Sequence, residues 1–182
     1  RRALAAQQSG AFEAEITPVV VTSRKGEVSY STDEQPGRCN IEKIPTLRPA
    51  FTKDGTVTAA SSSSISDGAA AVVLLSAQAA KTRGVTALAR IVAHATHSQE
   101  PAWFTTAPVA AIRNVLDKAG WSVGDVDLFE INEAFACVAM APITDLGIAH
   151  GKLNINGGAC ALGHPIGATG APQVVTMLHA QI

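Results

Sequence analysis

His164 lies in a loop whose composition suits a residue that moves protons. Residues 156–170 contain five glycines and a single histidine, and Pro165 follows that histidine directly. Glycine lacks Cβ, so such a backbone can approach a ligand or another segment closely. The proline biases His164 toward an extended backbone, which partly fixes the direction of its imidazole. The loop therefore predicts a preorganised acid or base, with a histidine that caps a helix or satisfies a buried carbonyl as the alternative.

A second candidate, Asn132, lies at a predicted junction between a strand and a helix. Residues 127–131 are a short strand candidate, and side chains at such a junction project toward a crevice at the sheet edge. An amide there can donate a hydrogen bond to an oxygen that gains negative charge. Helix capping is the alternative, because asparagine at a helix start with Glu133 in the first turn is ordinary stabilisation. The residues alone leave both interpretations open.

The elements that must position these residues alternate between strands and helices. Residues 1–8 predict a helix that stops at Ser9 and Gly10, and further strands are predicted at residues 15–21, 26–30, 69–75 and 87–94. Apolar residues at helical spacing predict three further helices. One ends at Gly120, the second contains Pro142, and the third runs through Leu178. Pro142 should kink or divide its helix, and Pro172 fits the last helix only within the first turn. This alternation indicates an α/β fold class.

Composition and charge exclude several classes of function. The 182 residues carry 14 basic and 15 acidic side chains without a basic stripe, which argues against nucleic acid binding. The longest apolar runs fall well short of the roughly 20 residues that a membrane-spanning helix needs. Cys39, Cys137 and Cys160 lack C-x-x-C spacing, which argues against disulfides and a zinc ribbon and favours a reducing compartment. His94 and His97 lack a third ligand, so no metal site is predicted.

Two motifs together resemble the thiolase family closely. They are Asn-Glu-Ala-Phe at residues 132–135 and Gly-Gly-Ala-Cys-Ala-Leu-Gly-His-Pro at residues 157–165. Further matches at residues 55–59, 67–71, 120–121 and 125–128 extend the resemblance over nearly the whole chain. The resemblance implies a layered α-β-α fold in which helices cover a mixed sheet, and a C-terminal part truncated at both ends. Residues 1–52 would end an N-terminal region. Residues 53–182 would form a C-terminal domain without its last strands, so we expect exposed apolar surface at a sheet edge.

The resemblance also implies a reaction and the roles of individual residues. Thiolases carry an acyl group on a cysteine between CoA thioesters, as when two acetyl-CoA molecules give acetoacetyl-CoA and CoA, or in the reverse thiolysis. His164 would take the proton of that cysteine and help to hold the thioester oxygen, while Asn132 would position a water that completes the oxyanion hole. The implied substrate-binding residues are Ser63, Phe104, Ala134, Phe135 and Gly163.

The same resemblance places the reactive cysteines in segments outside these residues. The nucleophile would lie in an N-terminal half, and the second cysteine just beyond Ile182. We therefore expect acyl transfer from the complete protein and not from this chain alone, with CoA as substrate and no cofactor. The family implies a homodimer or homotetramer, a cytoplasmic location and a role in fatty acid metabolism. The alternatives are a non-catalytic CoA-binding fragment and a related ketoacyl-synthase-type condensing enzyme, although the latter generally lacks Asn-Glu-Ala-Phe.

Overall fold

The structure is a computed structural model that describes residues 1–181. Seven α-helices lie within these residues: α1 Arg2–Gln8, α2 Gln35–Arg38, α3 Ala77–Arg83, α4 Ala107–Ala119, α5 Ala136–Leu146, α6 Ala159–Leu162 and α7 Gly170–His179. Five 3-10 helices join them, at Ile41–Thr46, Ala59–Ser61, Pro101–Thr106, Val123–Asp125 and His150–Lys152. Within the described part of the chain, no helix is both long and apolar enough to span a lipid bilayer.

A two-stranded antiparallel hairpin follows α1. Strand β1 runs Val19–Ser23 and strand β2 runs Gly26–Tyr30, with Val19 paired to Tyr30. The second strand has the predicted bounds, whereas the first begins four residues later than predicted. Pro18 precedes β1 and has no N–H to donate to the ladder, so pairing starts after it. The hairpin is exposed along its whole length.

The main core lies between α5, the predicted strand at residues 127–131 and the chain around Leu153. Its buried members are Phe129, Ile131, Val138, Ala139, Ile148 and Leu153, with Ile112 of α4 packed against them. Helix α4 ends where it was predicted to end, because Gly120 adopts the left-handed conformation (φ 69°, ψ 30°) and terminates it. The apolar face of α4 is therefore oriented toward α5.

Helix α5 is not divided at Pro142, although division was one of the two outcomes predicted for this proline. The helix is continuous over Ala136–Leu146, with Pro142 inside it and fully buried. Proline removes one backbone hydrogen bond of the helix, and burial of its ring in the core offsets part of that cost. The position of Pro172 agrees with expectation, since it is the third residue of α7 and thus lies in its first turn.

The segments 69–75 and 87–94 do not form the predicted strands. They carry no regular secondary structure and make no backbone–backbone hydrogen bonds with residues 1–181. A strand needs a partner for its N–H and C=O groups, and these segments have no partner strand in the described chain. Their apolar side chains are exposed instead, with Val73 at 89% and Ile91 at 72%. The prediction of exposed apolar surface is confirmed for these segments.

The last predicted strand, at residues 127–131, is reduced to a single parallel bridge. Phe129 pairs with Leu153, donating its N–H to Lys152 O at 2.8 Å and accepting from Asn154 N at 2.9 Å. This bridge fixes the chain immediately before Asn132. It also fixes the start of the glycine-rich loop, because Leu153 and Asn154 lead directly into that loop.

Candidate active site

The segment 61–66, which is serine at every position except Ile65 and is called the serine run here, lies between the two motifs found in the sequence. Ser63 donates from its N–H and from its hydroxyl to Ala134 O, each at 3.1 Å. His164 donates from its N–H to Ser64 O at 2.9 Å. Isolated bridges pair Ser62 with Phe135 and Ile65 with His164. Residues 62–65 therefore hold the Asn-Glu-Ala-Phe segment and the histidine loop side by side.

The two predicted catalytic side chains are in contact. His164 Nε2 lies 3.3 Å from Asn132 Nδ2, and His164 Nδ1 lies 2.6 Å from Thr169 Oγ1. The imidazole is half-buried and is held from both sides. Because both ring nitrogens have partners, the ring has one defined orientation, in which Nε2 points toward Asn132.

Helix capping by Asn132 is wrong as an interpretation of this residue. Helix α5 begins at Ala136 with Phe135 as its N-cap, so Asn132 lies outside the helix. Its Oδ1 is buried and accepts no hydrogen bond from residues 1–181. Buried polar atoms normally have a partner, so this oxygen marks a place where a donor such as water or substrate fits.

Glu133 connects the two motifs through a buried network that the sequence did not indicate. Its Oε1 accepts from Asn154 Nδ2 at 3.0 Å, and its Oε2 accepts from Cys160 N at 3.2 Å. The Asn154 side chain also pairs with both backbone groups of Ile131 at 2.9 Å. A Cβ on Gly158 would overlap the Glu133 carboxylate, so only glycine fits there. The signal in the sequence that could have indicated this network is the Gly157–Gly158 pair, which begins three residues after Asn154.

We expect Glu133→Ala to destabilise the chain by about 2 to 6 kcal/mol, because two partly buried donors lose their acceptor and each costs about 1 to 3 kcal/mol when left unpaired. Urea unfolding followed by circular dichroism measures the change. Glu27→Ala is the control, since Glu27 is exposed and its carboxylate contacts Thr22 at 3.5 Å. Equal effects of the two variants would contradict a bridging role for Glu133.

Glu130 lies next to this network and has an altered acidity. Burial, followed by the nearby charges of Glu133 and Glu15, raises the pKa of Glu130 from 4.5 to about 7. Desolvation and like charges both disfavour the ionised carboxylate. The folded chain therefore keeps this proton to a higher pH than the unfolded chain does.

Stability is expected to fall as the pH rises from about 4.5 to above 7. In this window the folded state binds more protons through Glu130 than the unfolded state does, so the free energy of unfolding decreases with pH. We expect Glu130→Gln to weaken this dependence and to be more stable than the wild type at pH 8. Urea midpoints at pH 5 and pH 8 test this, with exposed Glu100→Gln as control. An unchanged slope in Glu130→Gln would refute the assignment.

Aromatic rings stand beside the serine run. Phe135 makes edge-to-face contacts with Phe104, at a centroid distance of 6.4 Å, and with Phe51, at 6.0 Å. Phe104 is 52% exposed and Phe51 is 72% exposed, so these rings form an open apolar wall. The structure thus brings Ser63, Ala134, Phe104 and Phe135 together. Phe51 was missed, because a lone aromatic after Pro49 and Ala50 carries no spacing signal.

Gly163, the remaining predicted substrate-binding residue, packs against the serine run. Its backbone has φ 100° and ψ 168°, a region open essentially to glycine alone. A Cβ at this position would overlap the Ser66 hydroxyl and lie 2.9 Å from Ser66 Cβ. Gly163 thus permits the close approach that places the next residue, His164, against Ser64.

The three cysteines are free, and within residues 1–181 none is hydrogen-bonded to the His164 ring. Cys39 and Cys137 are exposed, and Cys160 is the second residue of the short helix α6, which the sequence did not predict. Burial, and next the Glu133 carboxylate, raise the pKa of the Cys160 thiol to about 12. A thiol in this state is a poor nucleophile, because the thiolate is the reactive form.

His94 and His97, which were considered as metal ligands, contact other groups in the structure. His97 Nε2 lies 3.1 Å from Gln99 Oε1, and the carbonyl of His94 accepts from Lys118 Nζ at 3.0 Å. Over residues 1–181, no group of three or more His, Cys, Asp or Glu side chains is arranged to hold a metal ion.

Models of known families match the segments that bring His164 and Asn132 together. The sequence model described as "Thiolase, N-terminal domain" matches residues 1–78, and that described as "Thiolase, C-terminal domain" matches residues 85–181. The chain therefore belongs to the thiolase family. The division into residues 1–52 and 53–182 stays a prediction.

Relatives and solved structures agree with this membership. The chain is 50% identical to an acetyl-CoA acetyltransferase of Pseudomonas aeruginosa, over 100% of this chain and 47% of that protein. It is 49% identical to a cytosolic acetyl-CoA acetyltransferase of Mus musculus, over 98% of this chain and 46% of that protein. The acetyl-CoA acetyltransferase structure of Bacillus anthracis superposes with a TM-score of 0.94 at 43% identity, covering 98% of this chain and 46% of that one. Human mitochondrial 3-ketoacyl-CoA thiolase gives 0.89 at 39% identity, with the same coverage.

These superpositions confirm the fold class as a partial α/β thiolase fold. The chain spans about half the length of the curated relatives it matches. Segments 69–75 and 87–94 consequently superpose within a larger fold even though residues 1–181 supply no strand to pair with them.

Proposed function

We propose that this chain supplies the histidine and the oxyanion-binding groups of a thiolase active site that transfers an acyl group between CoA thioesters. The observation that carries the proposal is the contact between His164 Nε2 and Asn132 Nδ2 at 3.3 Å. The reactive sulfur would come from thiolase segments other than these 182 residues. Acetyl-CoA is the proposed substrate, because relatives that are about 50% identical over the aligned residues are named acetyl-CoA acetyltransferases.

The proposed chemistry divides the work between two residues. His164 Nε2 takes the proton of the thiol, so that the sulfur attacks the ketone carbonyl of acetoacetyl-CoA as a thiolate. The new Nε2–H then donates to the thioester oxygen, which gains negative charge as the C–C bond breaks. Asn132 holds a water through its buried Oδ1, and that water completes the oxyanion hole. The C–C bond then breaks, and the enolate of acetyl-CoA takes a proton from the second reactive cysteine, which we expect outside these residues. The thiol of a second CoA gives its proton to that cysteine and attacks the acetyl group, and the first cysteine leaves as a thiolate that takes its proton back from His164.

Substrate binding is proposed along the serine run and the aromatic wall. Ser63 and Ala134 would face the pantetheine arm, and Phe104 and Phe135 would line its apolar path. Gly163 would let the thioester approach the backbone before His164. We further propose assembly as a homodimer or homotetramer, a cytoplasmic location and a role in fatty acid metabolism for the complete protein, with the cytosolic mouse relative as support.

A chimera tests the proposal. The part of the Pseudomonas aeruginosa relative that this chain matches, 47% of that protein, is replaced by these 182 residues. We expect the chimera to thiolyse acetoacetyl-CoA, measured by the loss of its absorbance, and the isolated chain to be inactive. A folded but inactive chimera would favour a non-catalytic CoA-binding role. Activity of the isolated chain would overturn the assignment of the sulfur to other segments.

A further inference from the structure

Thr169 contacts His164 on the side opposite Asn132. Its Oγ1 lies 2.6 Å from His164 Nδ1 and 3.3 Å from Pro165 O. Thr169 is only 9% exposed, and although it precedes α7 its side chain makes no capping hydrogen bond with that helix. The hydroxyl is therefore directed at the histidine and not at the helix start.

The partners of the ring decide which nitrogen carries the proton. Asn132 presents Nδ2, which has only donor hydrogens, to His164 Nε2 at 3.3 Å. A proton on Nε2 would set two donors against each other. With the proton on Nδ1, Asn132 donates to Nε2, Nδ1–H donates to Thr169, and the Thr169 hydroxyl donates to Pro165 O. Every donor in this series of three hydrogen bonds then meets an acceptor.

We infer that Thr169 is a positioning residue that holds the neutral His164 ring with its proton on Nδ1, so that Nε2 is unprotonated and can act as the base. The inference rests on the proposed function and goes beyond it by assigning the residue that sets the tautomer. When the S–H bond of the thiol breaks, its electron pair stays on sulfur and the proton forms a bond to Nε2. The Nδ1–H to Thr169 contact persists and becomes charge-assisted, so the hydroxyl need not reorient. The new Nε2–H turns from Asn132 Nδ2 to the substrate oxygen.

Nitrogen NMR of the histidine side chains in the 182-residue chain tests the tautomer directly. We expect His164 of the wild type, when neutral, to show a protonated Nδ1 and an unprotonated Nε2. Thr169→Val, which removes the acceptor at nearly constant shape, should lose this preference, and Thr169→Ser should keep it. Thr144→Val is the control, because Thr144 bonds within α5 to Met140 O and is exposed.

Two results would overturn the inference: a proton on Nε2 in the wild type, or a Thr169→Val variant that folds and retains the wild-type tautomer. The wild-type spectrum tests the inference by itself. The inference can therefore still be refuted if the valine variant fails to fold. A merely structural role for Thr169 would change the unfolding midpoint without changing the tautomer.

Kinetics in the chimera separate this inference from the proposed function. We expect Thr169→Val to lower kcat by about 10- to 100-fold with KM within about twofold, a part of the effect of a general base. Thr169→Ser should restore kcat. An inactive chimera whose His164 carries its proton on Nδ1 would refute the proposed function alone. An active chimera in which Thr169→Val leaves kcat unchanged would refute the role of Thr169 alone.

Discussion

Replacing His164 with alanine in the chimera is expected to lower kcat for thiolysis by about 10³- to 10⁴-fold. A general base contributes about 10²- to 10⁴-fold, and one oxyanion-hole donor contributes about 10²- to 10³-fold. Both roles fall on the same nitrogen, because Nδ1 is engaged by Thr169 and Nε2 faces Asn132. Effects of groups that act as a unit do not add, so the loss stays below the product of the two factors.

The control for this variant is His97→Ala. The His97 side chain contacts Gln99 and, within residues 1–181, makes no hydrogen bond to His164 or Asn132, so its loss should leave kcat within about twofold. The unfolding midpoint of the His164 variant should stay near that of the parent chimera. A His164→Ala chimera that retains a tenth or more of the parent activity would contradict the proposed chemistry.

Replacing Gly163 with alanine is expected to destabilise the chain by about 2 to 6 kcal/mol. The backbone conformation, with φ 100° and ψ 168°, costs a residue with a side chain about 1 to 3 kcal/mol. The added methyl group would also overlap Ser66, and overpacking costs another 1 to 3 kcal/mol or so. Urea unfolding of the 182-residue chain measures the sum.

Two further variants separate these causes. Gly167 lies in the same loop, and a Cβ added there would have no atom within 4 Å. We therefore expect Gly167→Ala to change the free energy of unfolding by no more than about 0.5 kcal/mol. Adding Ser66→Ala to Gly163→Ala should recover part of the loss, since the overlap with the hydroxyl disappears while the backbone cost remains. If Gly163→Ala and Gly167→Ala were equally stable, the close packing of the loop would be disproved.

Local patterns predicted the elements that carry their own signals. Helix α4 ends at Gly120 as its periodicity indicated, and α7 accommodates Pro172 in its first turn. Segments 69–75 and 87–94 do not form the predicted strands, because a strand needs a hydrogen-bonded partner. The local sequence pattern does not show whether such a partner is present. Pro142 lies in an unbroken helix because tertiary burial outweighs a local preference.

At the candidate site, the sequence identified side chains better than it identified their supports. Two motifs separated by some 20 residues pointed to His164 and Asn132, and the structure places these side chains in contact. The roles of Glu133 and Thr169 depend on distances between loops, which no periodicity encodes. Glycines were the exception, since the absence of Cβ at Gly158 and Gly163 matches the close approach found there.

The distance between His164 Nε2 and the thioester oxygen in a crystal structure of the chimera with bound acetyl-CoA is the most direct test. The proposed chemistry requires these two atoms to lie within hydrogen-bonding distance, at about 2.7 to 3.2 Å. A thioester bound beside the aromatic wall with its oxygen well beyond that distance, or paired with other donors, would contradict the account.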